Sequence, residues 1–188
     1  MLLNQKTSYL KLIIGPMMSS KSSRLISEIE KYKYITDNIL VVNHIFDKER
    51  NSINCIKTHN NKIYPSIMLD NIYDLHSNEK YINADIVIID EGQFYKDLSK
   101  FIKNELQKVN KVFIISGLSG DYNMEPIGEI HLLISLADSI EKLSALCIYC
   151  KDGTEASFTK LLDKSNNTQI LIGGSEFYTP VCRYHFYH

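Results

Sequence analysis

The 188-residue chain has no excess of either charge: 21 Lys plus Arg stand against 22 Asp plus Glu, a formal net charge of −1. It therefore lacks the basic surplus of a dedicated nucleic-acid binder, although a phosphate-handling site can be locally basic within a neutral total. Apolar runs long enough to span a bilayer are missing too. The stretch MLLNQKTSYLKLIIG interrupts its apolar residues with Asn4, Gln5, Lys6 and Lys11, and runs such as Ile86–Ile89 are only strand-sized. No secretion signal and no membrane partner are expected, which points to a cytoplasmic protein. Internal repeats and low-complexity tracts are absent. Arginine is confined to Arg24, Arg50 and Arg183. Cysteine is limited to four residues, and in a reducing compartment their use as metal ligands is favoured over cross-linking. With 44% hydrophobic and 23% charged residues, disorder and collagen-like repetition are excluded. A chain of this length buries a core without disulfide staples.

What is present is alternation of strand and helix patterns. Tyr9–Ile14 favours a strand that ends at Gly15, and Lys21–Tyr34 carries Leu25, Ile26, Ile29 and Tyr32 at helical spacing. Ile39–Val42 reads as a second strand, 46–61 as a polar loop with some strand near 53–56, Ile63–Leu69 as a strand and Asn71–Lys80 as a short helix. The unbroken Ile86–Ile89 run is that of a strand buried on both faces, as parallel sheets require. An amphipathic helix over Phe94–Val109, a strand over Val112–Ser116 and a helix over His131–Ile140 follow. The expected fold is α/β: a parallel sheet flanked by helices, with the Gly15–Ser22 loop between the first strand and the first helix pointing to the P-loop type. Near Leu146 the character changes to short segments with cysteines, so a domain at 1–145 and a small module at 146–188 are expected.

Two motifs carry phosphate chemistry. Gly15-Pro16-Met17-Met18-Ser19-Ser20-Lys21-Ser22 follows a strand, precedes a helix and nearly matches G-x-x-x-x-G-K-[ST]. Such a loop directs backbone N–H groups and a helix N-terminus at phosphate oxygens. Lys21 would reach the β- and γ-phosphates and the Ser22 hydroxyl would coordinate Mg²⁺ with ATP. Ser20 occupies the second glycine position, where a Cβ crowds the loop or demands a backbone conformation that glycine adopts more easily. A serine-rich helix cap with an incidental lysine is the structural alternative. Asp90-Glu91-Gly92-Gln93 closes the most apolar strand, at the end where open α/β sheets bind ligands. Asp90 is suited to hold Mg²⁺ and Glu91 to accept a proton from a hydroxyl nucleophile; two solvated acids are the alternative. Gln93 either touches a ribose or caps the next helix.

Cys147-Ile-Tyr-Cys150 and Cys182-Arg-Tyr-His185 form two paired knuckles, the ligand set of a tetrahedral Cys₃His zinc site with no open position, hence structural. Cys55 has no partner, and His44, His59, His76, His131 and His188 fall in no ligand pattern.

These residues together resemble the type II thymidine kinases, the cellular and poxviral-like group. The resemblance rests on GPMMSSKSS, on DEGQFY at 90–95, on the Leu118–Gly128 segment ending in PIG, on the CIYC knuckle and on ILIGGSEFYTPVCRYH. It implies transfer of the ATP γ-phosphate to the 5′-hydroxyl of thymidine, with Glu91 as general base and Arg50 supporting the transferred phosphate. The family's Asp-x-Arg is one residue longer here, Asp47-Lys-Glu-Arg50. Met17, Asp47, Phe94, Leu118, Tyr122 and Tyr178 are implied as substrate-binding, with the backbone of Leu171 and Gly173 reading the base and sugar edges. Taken singly, each aromatic is more readily an ordinary core residue. The segment between the knuckles resembles a lasso closing over the nucleoside, and assembly is implied to be homotetrameric or homodimeric, without nucleic acid. The readings weighed against it are a zinc-ribbon P-loop ATPase that binds nucleic acid, and a degenerate nucleotide-binding homologue.

Overall fold

The computed structural model describes residues 7–49, 54–58, 62–108, 110–162 and 177–188. Its strands are β1 (Tyr9–Gly15), β2 (Ile39–His44), β3 (Cys55–Lys57), β4 (Ile63–Pro65), β5 (Ile67–Leu69), β6 (Ile86–Ile89), β7 (Val112–Leu118), β8 (Ser139–Lys142), β9 (Ala145–Leu146), β10 (Glu155–Ala156), β11 (Phe158–Leu161) and β12 (Tyr178–Val181). The α-helices are α1 (Lys21–Lys33), α2 (Glu79–Asn83), α3 (Leu98–Lys108) and α4 (Arg183–Tyr187). Six strands form one sheet in the order β5-β2-β6-β7-β1-β8, and every pairing within it is parallel. The expected α/β parallel sheet is thus what the chain builds.

Residue periodicity explains the two layers that cover this sheet. In β6, Val87 and Ile89 point into one core and Ile86 and Ile88 into the other, so all four are aliphatic. β7 divides in the same way, with Phe113 and Ile115 on one side and Val112 and Ile114 on the other. Leu25, Ile26, Ile29 and Tyr32 of α1 fill one core, and Leu98, Phe101 and Ile102 of α3 fill the opposite one. Each such side chain contributes roughly 1.5–3 kcal/mol of burial free energy. Glu28, buried on α1, is neutralised by Lys11 Nζ at 2.9 Å and Arg24 Nη2 at 2.7 Å, and both cations also meet Glu141 of β8.

Parallel strands end together. Gly15 sits beside Leu118, and Ile89 lies between Val42 and Ile115. One edge of the sheet therefore gathers the residues that follow β1, β2, β6 and β7.

Several elements differ from the sequence expectation. Ile63–Leu69 is two strands: β4 pairs antiparallel with β3 as a hairpin, and β5 joins the main sheet beside β2. Pro65, which has no amide hydrogen, lies at the break. The helix expected over Asn71–Lys80 is a 3-10 turn at Ile72–Ser77 followed by α2, each capped by an asparagine side chain, Asn71 and Asn78. The helix expected from Phe94 begins at Leu98, because a 3-10 turn at Gly92–Phe94 and a left-handed Asp97 (φ 56°) precede it. The helix expected over His131–Ile140 is a 3-10 turn at Ile130–Leu136 and then the edge strand β8. Its apolar residues are spaced for either structure, and pairing with β1 decides for the strand. Beyond it, β9 with β10 and β11 with β12 form two small antiparallel pairs around a third cluster that includes Ala145, Cys147, Ala156 and Val181. No helix among the described residues is long and apolar enough to cross a membrane.

Candidate functional site

The loop from Gly15 to Ser20 joins β1 directly to α1. A Cβ on Gly15 would stand 2.5 Å from Ser19 Oγ and 2.8 Å from the Leu143 carbonyl, so only glycine fits the turn. Ser20 takes the left-handed conformation, φ 63° and ψ 27°, and its side chain makes no capping hydrogen bond. This is the strain anticipated for a serine at the second glycine position, and the loop accommodates it. Met18 is left-handed as well (φ 61°). Lys21 Nζ donates to the Pro16 carbonyl at 2.7 Å and the Gly15 carbonyl at 3.3 Å, drawing its charge over the loop. Ser19 Oγ donates to the Pro16 carbonyl at 2.8 Å, and Met17 N–H donates to Thr159 Oγ1 of β11 at 3.0 Å.

Directly across, Asp90 follows β6 and is almost fully buried. Ser22 Oγ donates to its Oδ2 at 3.2 Å, and Ser116 of β7 donates to its Oδ1. Burial pushes the Asp90 carboxyl up to about 6; the neighbouring Glu91 charge adds to this, Ser116 offsets part of it, and Asp47 raises it further. The two phosphate motifs are thus joined by a direct side-chain contact. Glu91 is left-handed (φ 53°), and its N–H donates to Asp90 Oδ1 at 3.0 Å. That backbone turn sends the two acidic side chains different ways. Glu91 Oε2 accepts from Gln93 Nε2 at 2.5 Å, while Gln93 Oε1 accepts from Leu118 N–H at 3.0 Å.

Asp47 lies in a 3-10 turn after β2 and accepts from Asn43 Nδ2 at 2.8 Å. Phe94 packs edge-on against Phe46, with centroids 5.5 Å apart, and lies 5.5 Å from His44. His44 is itself buried, and burial lowers its imidazole pKa below the ordinary value. Tyr122 and Tyr178 bring their rings to 6.4 Å. Arg50, Leu171 and Gly173 lie outside the described residues. Five contacts are not legible in the sequence: Asn43 to Asp47, Ser116 to Asp90, Thr159 to Met17, Gln93 to Glu91 and Gln93 to Leu118. Ser116, a buried hydroxyl within the otherwise apolar β7, is the one visible signal among them.

Cys147, Cys150, Cys182 and His185 form a separate cluster whose ligand atoms all lie within 4.8 Å of one another. His185 Nδ1 is 3.5, 3.3 and 3.4 Å from the sulfurs of Cys147, Cys150 and Cys182, and Cys150 and Cys182 are 3.8 Å apart. Tetrahedral zinc with bonds of about 2.3 Å to sulfur and about 2.0 Å to nitrogen requires separations of about 3.5–3.8 Å. The donor set therefore fits that metal in type and spacing. Desolvation raises the Cys150 thiol, and its cysteine neighbours add to this. For Cys147, desolvation acts upward too, but backbone N–H donors from the knuckles outweigh it and pull the thiol down.

A glycine-turned loop on a helix N-terminus, a buried serine–aspartate contact across the sheet edge and a parallel sheet define an α/β protein of P-loop type, with a Cys₃His cluster that could hold a metal ion. The thymidine kinase family model matches residues 8–186. The chain is 34% identical to the thymidine kinase of Yaba monkey tumor virus over 181 residues, covering 96% of each chain. It is 36% identical to that of sheeppox virus over 175 residues, 93% of this chain and 94% of the relative. Similarity extends to thymidine kinase 1 of Dictyostelium discoideum, 31% identical over 186 residues, 97% of this chain and 79% of the relative. The chain belongs to the thymidine kinase family.

Proposed function

We propose that this chain is an ATP-dependent deoxynucleoside kinase that transfers the γ-phosphate of ATP to the 5′-hydroxyl of thymidine, giving thymidine monophosphate and ADP. The observation that carries the reading is the direct contact of Ser22 with Asp90, with Glu91 alongside, in a chain that matches the family along nearly its whole length. Glu91 takes the proton of the 5′-hydroxyl as that oxygen bonds to the γ-phosphorus, and the bond from phosphorus to the β-phosphate oxygen breaks. The backbone of Gly15–Ser20 and the Lys21 ammonium bind the phosphates, and Arg50 supports the transferred group. Ser22 and Asp90 would hold Mg²⁺, which would supply charge neutralisation at the phosphates. Met17, Asp47, Phe94, Leu118, Tyr122 and Tyr178, with the main chain of Leu171 and Gly173, bind the nucleoside. Cys147, Cys150, Cys182 and His185 would hold a structural Zn²⁺, which would tie the two ends of the 146–188 module together.

Met17 N–H bonded to Thr159 supports a phosphate loop held against that module. The same reading makes the protein cytoplasmic and a homodimer or homotetramer; exposed Leu132, Ile134 and Ile140 offer apolar surface to a second copy. A nucleic-acid-dependent ATPase is not favoured, since net charge is near zero and the family match is to nucleoside kinases.

A coupled assay of ADP release with thymidine, ATP and Mg²⁺ tests the reading on the wild type and on Glu91→Gln. Wild-type turnover should depend on thymidine. The variant should lose roughly 10²–10⁴-fold in kcat with thymidine KM changed only a few-fold. Equal turnover in the variant sinks the base assignment. A folded, zinc-loaded wild type that ignores thymidine and hydrolyses ATP with DNA points to the nucleic-acid ATPase, and one inert under both conditions to a degenerate homologue.

A further inference from the structure

We infer that Gln93 is a positioning residue for phosphoryl transfer, one amide that fixes both the Glu91 carboxylate and the main chain at Leu118. The inference rests on the kinase reading above, with Glu91 as base.

The amide is used at both ends. Nε2 donates to Glu91 Oε2 at 2.5 Å, and Oε1 accepts from Leu118 N–H at 3.0 Å. Gln93 is only 3% exposed, so neither bond competes freely with water, and a group left unpaired there would lose its solvation without compensation. The surroundings are shaped to admit it. A Cβ on Gly117 would stand 2.4 Å from Gln93 Oε1, and one on Gly128, itself at φ 57°, would stand 2.0 Å from the Gln93 carbonyl oxygen. Two glycines from different segments thus clear space for this one residue. Glu91 is left-handed and precedes a single 3-10 turn, so its own backbone gives its side chain little support. A flexible glutamate at a turn is fixed by whatever holds its carboxylate, and Gln93 does so while bonding to β7.

Chemistry explains why the group is an amide. A lysine or arginine here would form an ion pair with the base and hold its proton-accepting oxygens too tightly. A hydroxyl would be too short to bridge Glu91 to Leu118. Glutamine supplies a neutral donor and a neutral acceptor at opposite corners of one rigid plane. The donor end sets where the base points, and the acceptor end sets the strand end that carries Leu118.

Two substitutions separate the two ends. Gln93→Met preserves length and removes both hydrogen bonds. Gln93→Glu keeps an acceptor for Leu118 N–H and removes the amide donor to Glu91. With thymidine and ATP saturating, Gln93→Met should lower kcat by about 10–100-fold, the usual consequence of misplacing a reacting group, and should also raise thymidine KM. Gln93→Glu should lower kcat while leaving thymidine KM within about twofold of wild type. The deciding measurement is a double-mutant cycle with Glu91→Gln. If Gln93 acts through the base, adding Gln93→Met to Glu91→Gln should change kcat by less than about twofold. A full additional 10–100-fold loss in that background overturns the inference, as does an unchanged kcat in Gln93→Met alone. Thermal melts of all four proteins identify any variant that fails to fold, and Gln93→Glu then carries the same cycle. If Glu91→Gln by itself leaves turnover intact, the base assignment has failed instead, a result that the cycle keeps distinct from failure of the Gln93 role.

Discussion

The phosphate loop offers a test of strain against contact. Ser20 holds φ 63° and ψ 27° at the start of α1, is exposed, and makes no capping hydrogen bond with its side chain. The left-handed region costs an L-residue with a Cβ roughly 1–2 kcal/mol, and glycine escapes that cost. Glycine also loosens the unfolded chain, which returns about 0.4–1 kcal/mol to the unfolded side. The difference leaves Ser20→Gly more stable by about 0.5–1 kcal/mol, a rise in melting temperature of about 1–4 °C for a domain of this size. Ser20→Ala keeps the strain and loses no cap, so its stability should stay within about 0.5 kcal/mol of wild type, whereas a working N-cap serine would cost about 1 kcal/mol to remove. Urea titration of the three proteins, followed by circular dichroism, reads these differences. The reasoning is refuted if Ser20→Ala is destabilised by 1 kcal/mol or more while Ser20→Gly gains nothing, on the scale set by a cap bond. Thymidine phosphorylation by Ser20→Gly should match or exceed wild type. Lost turnover in that variant would assign the serine hydroxyl to the phosphates.

Asp90 gives a pH prediction. The folded state holds its proton up to about pH 6, above the ordinary carboxyl value of 3.8. This carboxyl therefore favours folding most below the lower value, and that contribution is lost as pH rises through about 6. Asp90→Asn should be more stable than wild type at pH 7, by about 3 kcal/mol, and the gap should largely close by pH 4 even though turnover is lost; a gap independent of pH would contradict the burial argument. For the knuckles, elemental analysis should find one zinc per chain, and a chelator or Cys150→Ser should lower the melting temperature by more than about 5 °C. Identical melts with and without chelator would rule out a structural metal at Cys147, Cys150, Cys182 and His185.

The parts of the fold legible in the sequence are those where local pattern and tertiary environment agree. The aliphatic run Ile86–Ile89 is buried on both faces, and α1 places Leu25, Ile26, Ile29 and Tyr32 in one core. The Cys₃His set was legible because its spacing has few other uses. The helix expected over His131–Ile140 does not form because its apolar spacing suits a helix and a strand equally, and the choice is made by β1, far away in sequence. Long-range contacts within the site were hidden for the same reason. The clash that makes Gly15 obligatory involves the Leu143 carbonyl, the loop amide of Met17 bonds to Thr159, and the acceptor of Gln93 bonds to Leu118. No window of neighbouring residues contains both partners of any of these pairs.

Strand β6 carries one last consequence. A strand with one wet face resists slipping, because a shift of one residue would turn its apolar side chains to water. Here both faces are dry, so a slip would merely exchange isoleucines between two oily layers. Alignment must be enforced from the ends. Asp85 clamps one end, accepting from Thr36 Oγ1 at 2.6 Å and Asn38 Nδ2 at 3.2 Å. Asp90 clamps the other, through Ser22, Ser116 and its own N–H to the Val42 carbonyl. The acid proposed to hold the magnesium is thus also a bookend for the central strand, and replacing it tests folding fidelity along with chemistry.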